Sequence, residues 1–242
     1  MASERRRIHN VFAIALSLAV IRSFSSFMLH ANFSPEHAVW WYISLVVSML
    51  ALTVAYYRFV RVFVNKPQGW FTYLGYVMVG VVFAVSVSGY SVKDVYVSGG
   101  FLHIEESKYF FYLIGATMVA VGTGIFYELI KWYRGLVDPV LRNQTGYLLL
   151  GFSIAAVLGI SNVVPFLRGY PVDQLGVFLF CLVITYAIVR HNLLDMDLIM
   201  RRGIFGGAMM GLFLVTYSFW FTVVYMLSDR QLSVGAAFGV AG

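Results

Sequence analysis

Residues able to do chemistry are few in this sequence, and they lie far apart. The five histidines, His9, His30, His37, His103 and His191, fall at the ends of apolar runs or between them. A transmembrane b-type haem needs histidines well inside its spans, so none is expected. The last long apolar run, 204–227, lacks the lysine that a retinal Schiff base requires. Zinc-protease, phosphate-loop and nucleophile-elbow patterns are missing. A single cysteine, Cys181, excludes an internal disulfide and a multi-cysteine metal site. The sequence therefore predicts no catalytic constellation, no metal and no cofactor.

What remains is polar chemistry inside apolar runs, where each such residue is costly. Arg22 sits in the outer half of the first run. It either snorkels or pairs to fix the bundle, or it serves an anionic-ligand pocket. Asn162 precedes Pro165, and a proline frees a backbone carbonyl that the amide can satisfy at a kink. Glu128 lies one turn inside Lys131 and Trp132, which predicts an interfacial salt bridge rather than a proton relay. Cys181 reads as ordinary packing. Broken helices in matching halves mark transporters, and one proline-interrupted run is weak support for that class.

The elements that must carry these residues are set by composition. Apolar residues make up 60% of the 242, charged residues 12%, and mean hydropathy is +0.81. Soluble domains are nearer half apolar and a quarter charged. Apolar runs at 10–30, 39–64, 71–91, 109–133, 145–167, 174–190 and 204–227 each match the length needed to cross a bilayer. The predicted fold is therefore all-α: a polytopic transmembrane bundle over 10–242 of about seven spans, after a basic segment at 1–9. An eighth run from Leu232 reaches Gly242 after eleven residues and looks cut inside a helix. Ser23-Phe24-Ser25 loosely fits a signal-peptide cleavage site. Arg22 abuts it and apolar character resumes at Phe27-Met28-Leu29, so the first helix is expected to be retained.

Charge placement predicts orientation. With the N-terminus in the cytoplasm, the inner segments hold Arg5, Arg6 and Arg7; Arg58, Arg61 and Lys66; Lys131, Arg134 and Arg142; and Arg190, Arg201 and Arg202. The outer side holds only Lys93, Lys108, Arg168 and Arg230. This is the positive-inside pattern. It accounts for the net charge of +6 without a nucleic-acid partner, which would need that charge on one soluble face. Aromatic residues mark the interfaces: Trp40-Trp41-Tyr42 and Tyr56-Tyr57 on the second run, Trp70, Phe71 and Tyr73 on the third, and Tyr127, Trp132 and Tyr133 on the fourth.

Shorter signals refine the bundle. Ser34-Pro35-Glu36 predicts a capped helix start, and Asp138-Pro139 an interruption of helix. Small residues recur every fourth position at Ala116, Ala120 and Gly124, at Gly151, Ala155 and Gly159, and at Gly207 and Gly211. That spacing lets backbones approach in lipid, and the fifth helix, with three in register, is the predicted contact. Residues 92–107 read as strand, glycine turn, strand. Because a lone hairpin is marginal in water, this external hairpin should pack on the bundle or pair with another chain. It is either a sensing cap or a plain connector.

The segment Tyr186-Ala187-Ile188-Val189-Arg190-His191-Asn192-Leu193-Leu194-Asp195-Met196-Asp197-Leu198-Ile199, followed by Arg201-Arg202-Gly203, resembles the membrane-input region of bacterial sensor histidine kinases. In that family a helix ends in Tyr-Ala-Ile and a basic residue, and a Leu-Leu-Asp-Ile-Asp-like segment follows in the cytoplasm. His191 and Asn192 depart from it, standing where an aromatic and a basic residue are expected. Tyr57-Arg58-Phe59, Arg142-Asn143-Gln144 and Asn162-x-x-Pro165 are similar to further features of the family. The resemblance implies a signal-input module in a bacterial inner membrane, with a cytoplasmic output domain beyond the last helix. Partners are then the lipid bilayer and a second copy or a larger membrane complex. Arg190, Asp195 and Asp197 become the signal-coupling candidates, on a short interfacial segment at 191–203. No phosphoacceptor pattern or ATP-binding glycine box occurs before Gly242. A non-catalytic accessory subunit of an energy-converting membrane complex is the competing reading, with a transporter third.

The charge asymmetry makes a direct prediction. A Ser98→Cys variant should react with a membrane-impermeant maleimide in intact cells. Reaction only after permeabilisation would reverse the orientation.

Overall fold

The computed structural model describes residues 2–30, 35–98, 101–160 and 172–191. They form a helical bundle with one small sheet, in the order α1 (Ala2–His30), α2 (Ala38–Phe63), α3 (Trp70–Val87), β1 (Val92–Ser98), β2 (Phe101–Glu106), α4 (Lys108–Gly135), α5 (Pro139–Gly159) and α6 (Val172–His191). Among the described residues four stretches are long and apolar enough to cross a membrane: Asn10–Leu29, Ala38–Phe63, Trp70–Val87 and Lys108–Gly135. They coincide with the first four expected spans. α5 covers the first part of the fifth, and α6 carries a shorter apolar stretch, Leu175–Ala187. The rest of the fifth expected span from 161, the seventh at 204–227 and the eighth from Leu232 lie outside the described residues, as do Gly207 and Gly211.

Local chemistry explains where the helices stop. α2 closes through a Schellman turn: Asn65 N–H donates to Val62 O at 3.0 Å and Lys66 N–H to Arg61 O at 2.8 Å. Asn65 takes the left-handed conformation that this turn requires, at φ 53°, which asparagine tolerates better than most residues. Pro67 follows and cannot continue a helix. α3 ends earlier than the apolar run suggests, because Gly89 adopts φ 81° just past Ser88. Asp138-Pro139 is not only a break. Asp138 caps α5, its carboxylate accepting from Val140 N–H at 2.8 Å, with Pro139 at the first helical position. The start of α2 differs from expectation. A 3₁₀ turn, Pro35–His37, precedes Ala38, and His37 makes no capping bond; Ser34 lies outside the described residues.

α2 is the hub. The largest apolar cluster joins Val11 and Phe12 of α1 and Val54, Phe59 and Val60 of α2 to Val121 and Leu129 of α4, Leu148 of α5 and Ile184 of α6. α1 runs on through Ser23–Ser25 and packs along α2, with the Ser25 and Ser44 hydroxyls 2.8 Å apart. Other buried hydroxyls return to the backbone one turn earlier, Ser48 to Ser44 O, Ser86 to Val82 O and Thr145 to Leu141 O. In an apolar surrounding this satisfies a group that has no water to bond. α3 is peripheral and turns Val77, Val81 and Phe83 outward.

The hairpin packs on the bundle, the first of the two fates expected for it. β1 and β2 pair antiparallel, with an irregularity between Val92 and Asp94. Val92 and Ile104 pack against the cluster of Tyr42, Leu50, Val82 and Phe110, and Ser107 N–H closes the base on Ser91 O at 3.0 Å.

Small residues divide. On α5, a Cβ at Gly151 would stand 3.1 Å from the Phe180 ring of α6. Across the same seam, a Cβ at Gly176 of α6 would stand 2.9 Å from Leu158 Cβ and 3.7 Å from Ala155 Cα. Gly159 meets nothing within 4 Å. On α4 only Gly124 is close to another helix, while Ala116 and Ala120 are exposed. The fourth-residue spacing thus identifies the α5–α6 contact, whereas on α4 it marks a single point.

Ala155→Leu should therefore lower thermal stability in detergent, by roughly 1–3 kcal/mol for an overpacked seam. Gly146→Leu, whose nearest neighbour is a Tyr133 ring atom at 4.0 Å, should be milder. Equal losses would remove the α5–α6 seam as the cause.

Candidate functional site

A charged cluster closes one end of the bundle, where α2 ends, α3 begins and α4 finishes. Glu128 of α4 is buried, its side chain 8% exposed. Arg61 NH1 donates to Glu128 Oε1 at 2.7 Å, and Lys66 Nζ donates to Glu128 Oε2. Arg61 also donates to Pro67 O through Nε at 3.2 Å and through NH2. One arginine thus holds both the turn after α2 and the carboxylate of α4. The Schellman turn is what places Lys66 there, because it reverses the chain within two residues of the helix end. The salt bridge foreseen for Glu128 is present, with different partners. Lys131 stands 5.7 Å from the Tyr127 ring centre, and Arg142 5.0 Å from that of Tyr133. On a helix Glu128 and Lys131 are neighbours on the surface, but burial turns Glu128 inward toward α2.

Ring packing sets the distance between these helices at the same level. Tyr57 of α2 lies edge-on to Phe71 of α3, ring centres 5.3 Å apart. A Cβ at Gly124 would meet both rings, at 3.1 and 3.3 Å. The glycine admits Tyr57 against α4 and so lets Arg61 reach Glu128. Arg61 also stands over the start of α3, where a Cβ at Gly69 would be 3.3 Å from its NH2. The start of α3 has no side-chain cap and no acidic residue in its first turn. Its partial positive charge therefore adds to those of Arg61 and Lys66, and Glu128 is the carboxylate that opposes them.

A second feature lies deeper. Tyr56, Phe152 and Phe180 form a three-ring cluster with centres 5.0 to 5.3 Å apart, joining α2, α5 and α6. Arg22 is 6% exposed and is engaged within the bundle. Its charge acts within electrostatic reach of Tyr56. Cys181 packs against the main apolar cluster, as expected. Arg190 falls in the last turn of α6. Asn162, Asp195 and Asp197 lie outside the described residues. Lys66 and Arg61 entered the sequence reading only as orientation charges. The signal that could have found them was Asn65-Lys66-Pro67, the pattern of a Schellman turn with a proline stop.

Among the described residues no group of three or more His, Cys, Asp or Glu is placed to hold a metal ion. The Glu128 cluster can do one thing well, which is to hold α2, the α2–α3 turn and α4 in register. Removing its carboxylate should be severe. Glu128→Ala leaves two cations without their anion, a change that costs roughly 3–5 kcal/mol for a buried pair. Lys66→Ala, at a side chain 34% exposed, should cost about 1 kcal/mol or less. In a double-mutant cycle the Arg61→Ala and Glu128→Ala effects should couple by about 2–3 kcal/mol. Additive losses would mean that the pair does not join the helices.

No protein-family model, curated protein or solved structure matches this chain.

Proposed function

We propose that this chain is a membrane-embedded signal-input module, whose helices pass a change in their packing to a cytoplasmic output domain. The observation that carries this reading is the place of the kinase-input-like segment on the bundle. Tyr186-Ala187-Ile188-Val189-Arg190-His191 forms the final turns of α6, and Leu193-Leu194-Asp195-Met196-Asp197 follows directly. α6 is seated on α5 through Gly151 and Gly176 and on α2 through the Tyr56–Phe180 contact. A shift of α6 against α2 would move the end of α6, which 192–203 follows in sequence. The proposal includes seven spans, a cytoplasmic N-terminus, the bacterial inner membrane, and assembly as a homodimer or within a larger complex.

In this reading Arg190 anchors α6 at phosphate level, and Asp195 and Asp197 hold the next turn away from an anionic surface. Each surface charge is worth about 1 kcal/mol there, enough to move a balanced two-state equilibrium several-fold. Asp195→Asn together with Asp197→Asn, in a full-length protein or a chimera carrying a reporter kinase, should change output several-fold. Membrane insertion and protein level should stay constant. Unchanged output over the whole signal range would favour the accessory-subunit reading, in which this segment is only a linker.

A further inference from the structure

The charge at the α2–α3 corner does not balance. Arg58, Arg61 and Lys66 bring three cations, and Glu128 brings one carboxylate, a surplus of two positive charges among the described residues. Glu128 is used by Arg61 and Lys66, so the surplus is felt most at Arg58. Arg58 is held by neutral groups only. Its NH1 donates to the Tyr76 hydroxyl at 3.2 Å. The Gln68 amide, assigned with its oxygen toward the guanidinium because only that orientation matches donors to acceptors, accepts from Nε at 2.7 Å and from NH2 at 3.1 Å. Three of the five guanidinium N–H groups are thereby fixed, and two remain.

The surroundings state what those two donors face. Arg58 is half-buried and Tyr76 is exposed beside it. Tyr73, 58% exposed, and Trp70, 75% exposed, continue the same end of α3. Tyr73 Oη lies 3.5 Å from the far end of the Gln68 amide. Exposed Trp and Tyr at the end of an apolar helix belong at the headgroup level of a bilayer. The uncapped start of α3 adds its partial positive charge. An arginine held flat by two neutral acceptors, with two donors unused, is preorganised for the paired oxygens of a phosphate.

We infer that Arg58, with Gln68, Tyr73 and Tyr76, forms a binding site for the phosphodiester of an anionic phospholipid at the α2–α3 corner. The surplus of two charges sets the preference for a lipid with net negative charge over a zwitterionic one. Trp70 and Tyr73 lie nearer the start of α3 than Tyr76, on the water side of the headgroup. The site is independent of the signalling proposal, since a structural lipid would serve an accessory subunit as well.

The test is native mass spectrometry of the purified chain, titrated in neutral detergent with phosphatidylglycerol or phosphatidylcholine, and separately with inorganic phosphate. Wild type should retain phosphatidylglycerol in preference to phosphatidylcholine and to phosphate. Arg58→Gln should bind it about tenfold more weakly, as expected for loss of one charge-assisted contact. Arg134→Gln removes an equal charge from the exposed end of α4 and should bind like wild type. Tyr76→Phe keeps the ring and deletes only the hydroxyl that fixes Arg58. It should weaken binding in the same direction, and it serves if Arg58→Gln does not fold. Equal losses in Arg58→Gln and Arg134→Gln would overturn the site in favour of diffuse attraction. No preference over phosphatidylcholine, equal retention of inorganic phosphate, or wild-type binding by Tyr76→Phe would each overturn it as well.

Discussion

A buried carboxylate on α4 governs how this bundle closes at one end. An ionised Glu128 with its side chain mostly buried is tolerable only beside opposite charge, since desolvation of a lone carboxylate costs several kcal/mol. The two cations that satisfy it, Arg61 and Lys66, stand on the last turn of α2 and on the reversal after it. α2 cannot slide along α4 without separating them, and the α2–α3 turn cannot open without releasing Pro67 O from Arg61. The glycine at 124 belongs to the same arrangement, because a side chain there would push Tyr57 away and take Arg61 with it.

Away from this end the bundle depends on shape. Its core is apolar and aromatic, and buried hydroxyls such as those of Ser48, Ser86 and Thr145 bond to carbonyls of their own helices, while those of Ser25 and Ser44 meet one another. The apolar packing is weakly directional. Ring packing among Tyr56, Phe152 and Phe180 holds α5 and α6 to α2. A charge-fixed α2–α4 pair thus stands beside a shape-fixed α5–α6 pair.

The same end carries more positive charge than its carboxylate can answer. In water that surplus would be screened by salt. At the edge of a bilayer it faces phosphates, whose charge is fixed in place. The exposed aromatic residues of α3 and the neutral acceptors around Arg58 fit that environment better than they fit a soluble partner.

Apolar run length by itself determined the first four helices, because crossing hydrocarbon demands about the same number of apolar residues wherever the helix packs. The glycine turn and flanking β-formers marked the hairpin, and small residues in register marked α5 as a contact helix, whose partner α6 and whose open Gly159 only the structure decided. Helix ends were less legible. Gly89 and Asn65 end α3 and α2 by adopting a backbone conformation that sequence permits without requiring. Pairing was decided by tertiary structure alone. Glu128 could reach Lys131 on its own helix, and it turns instead to residues 67 and 62 positions earlier in the chain. Arg22 could have risen to the surface on its long side chain, and it stays inside. In both cases local spacing offers several partners of nearly equal worth, and the choice among them rests on which neighbouring helix excludes water from the group.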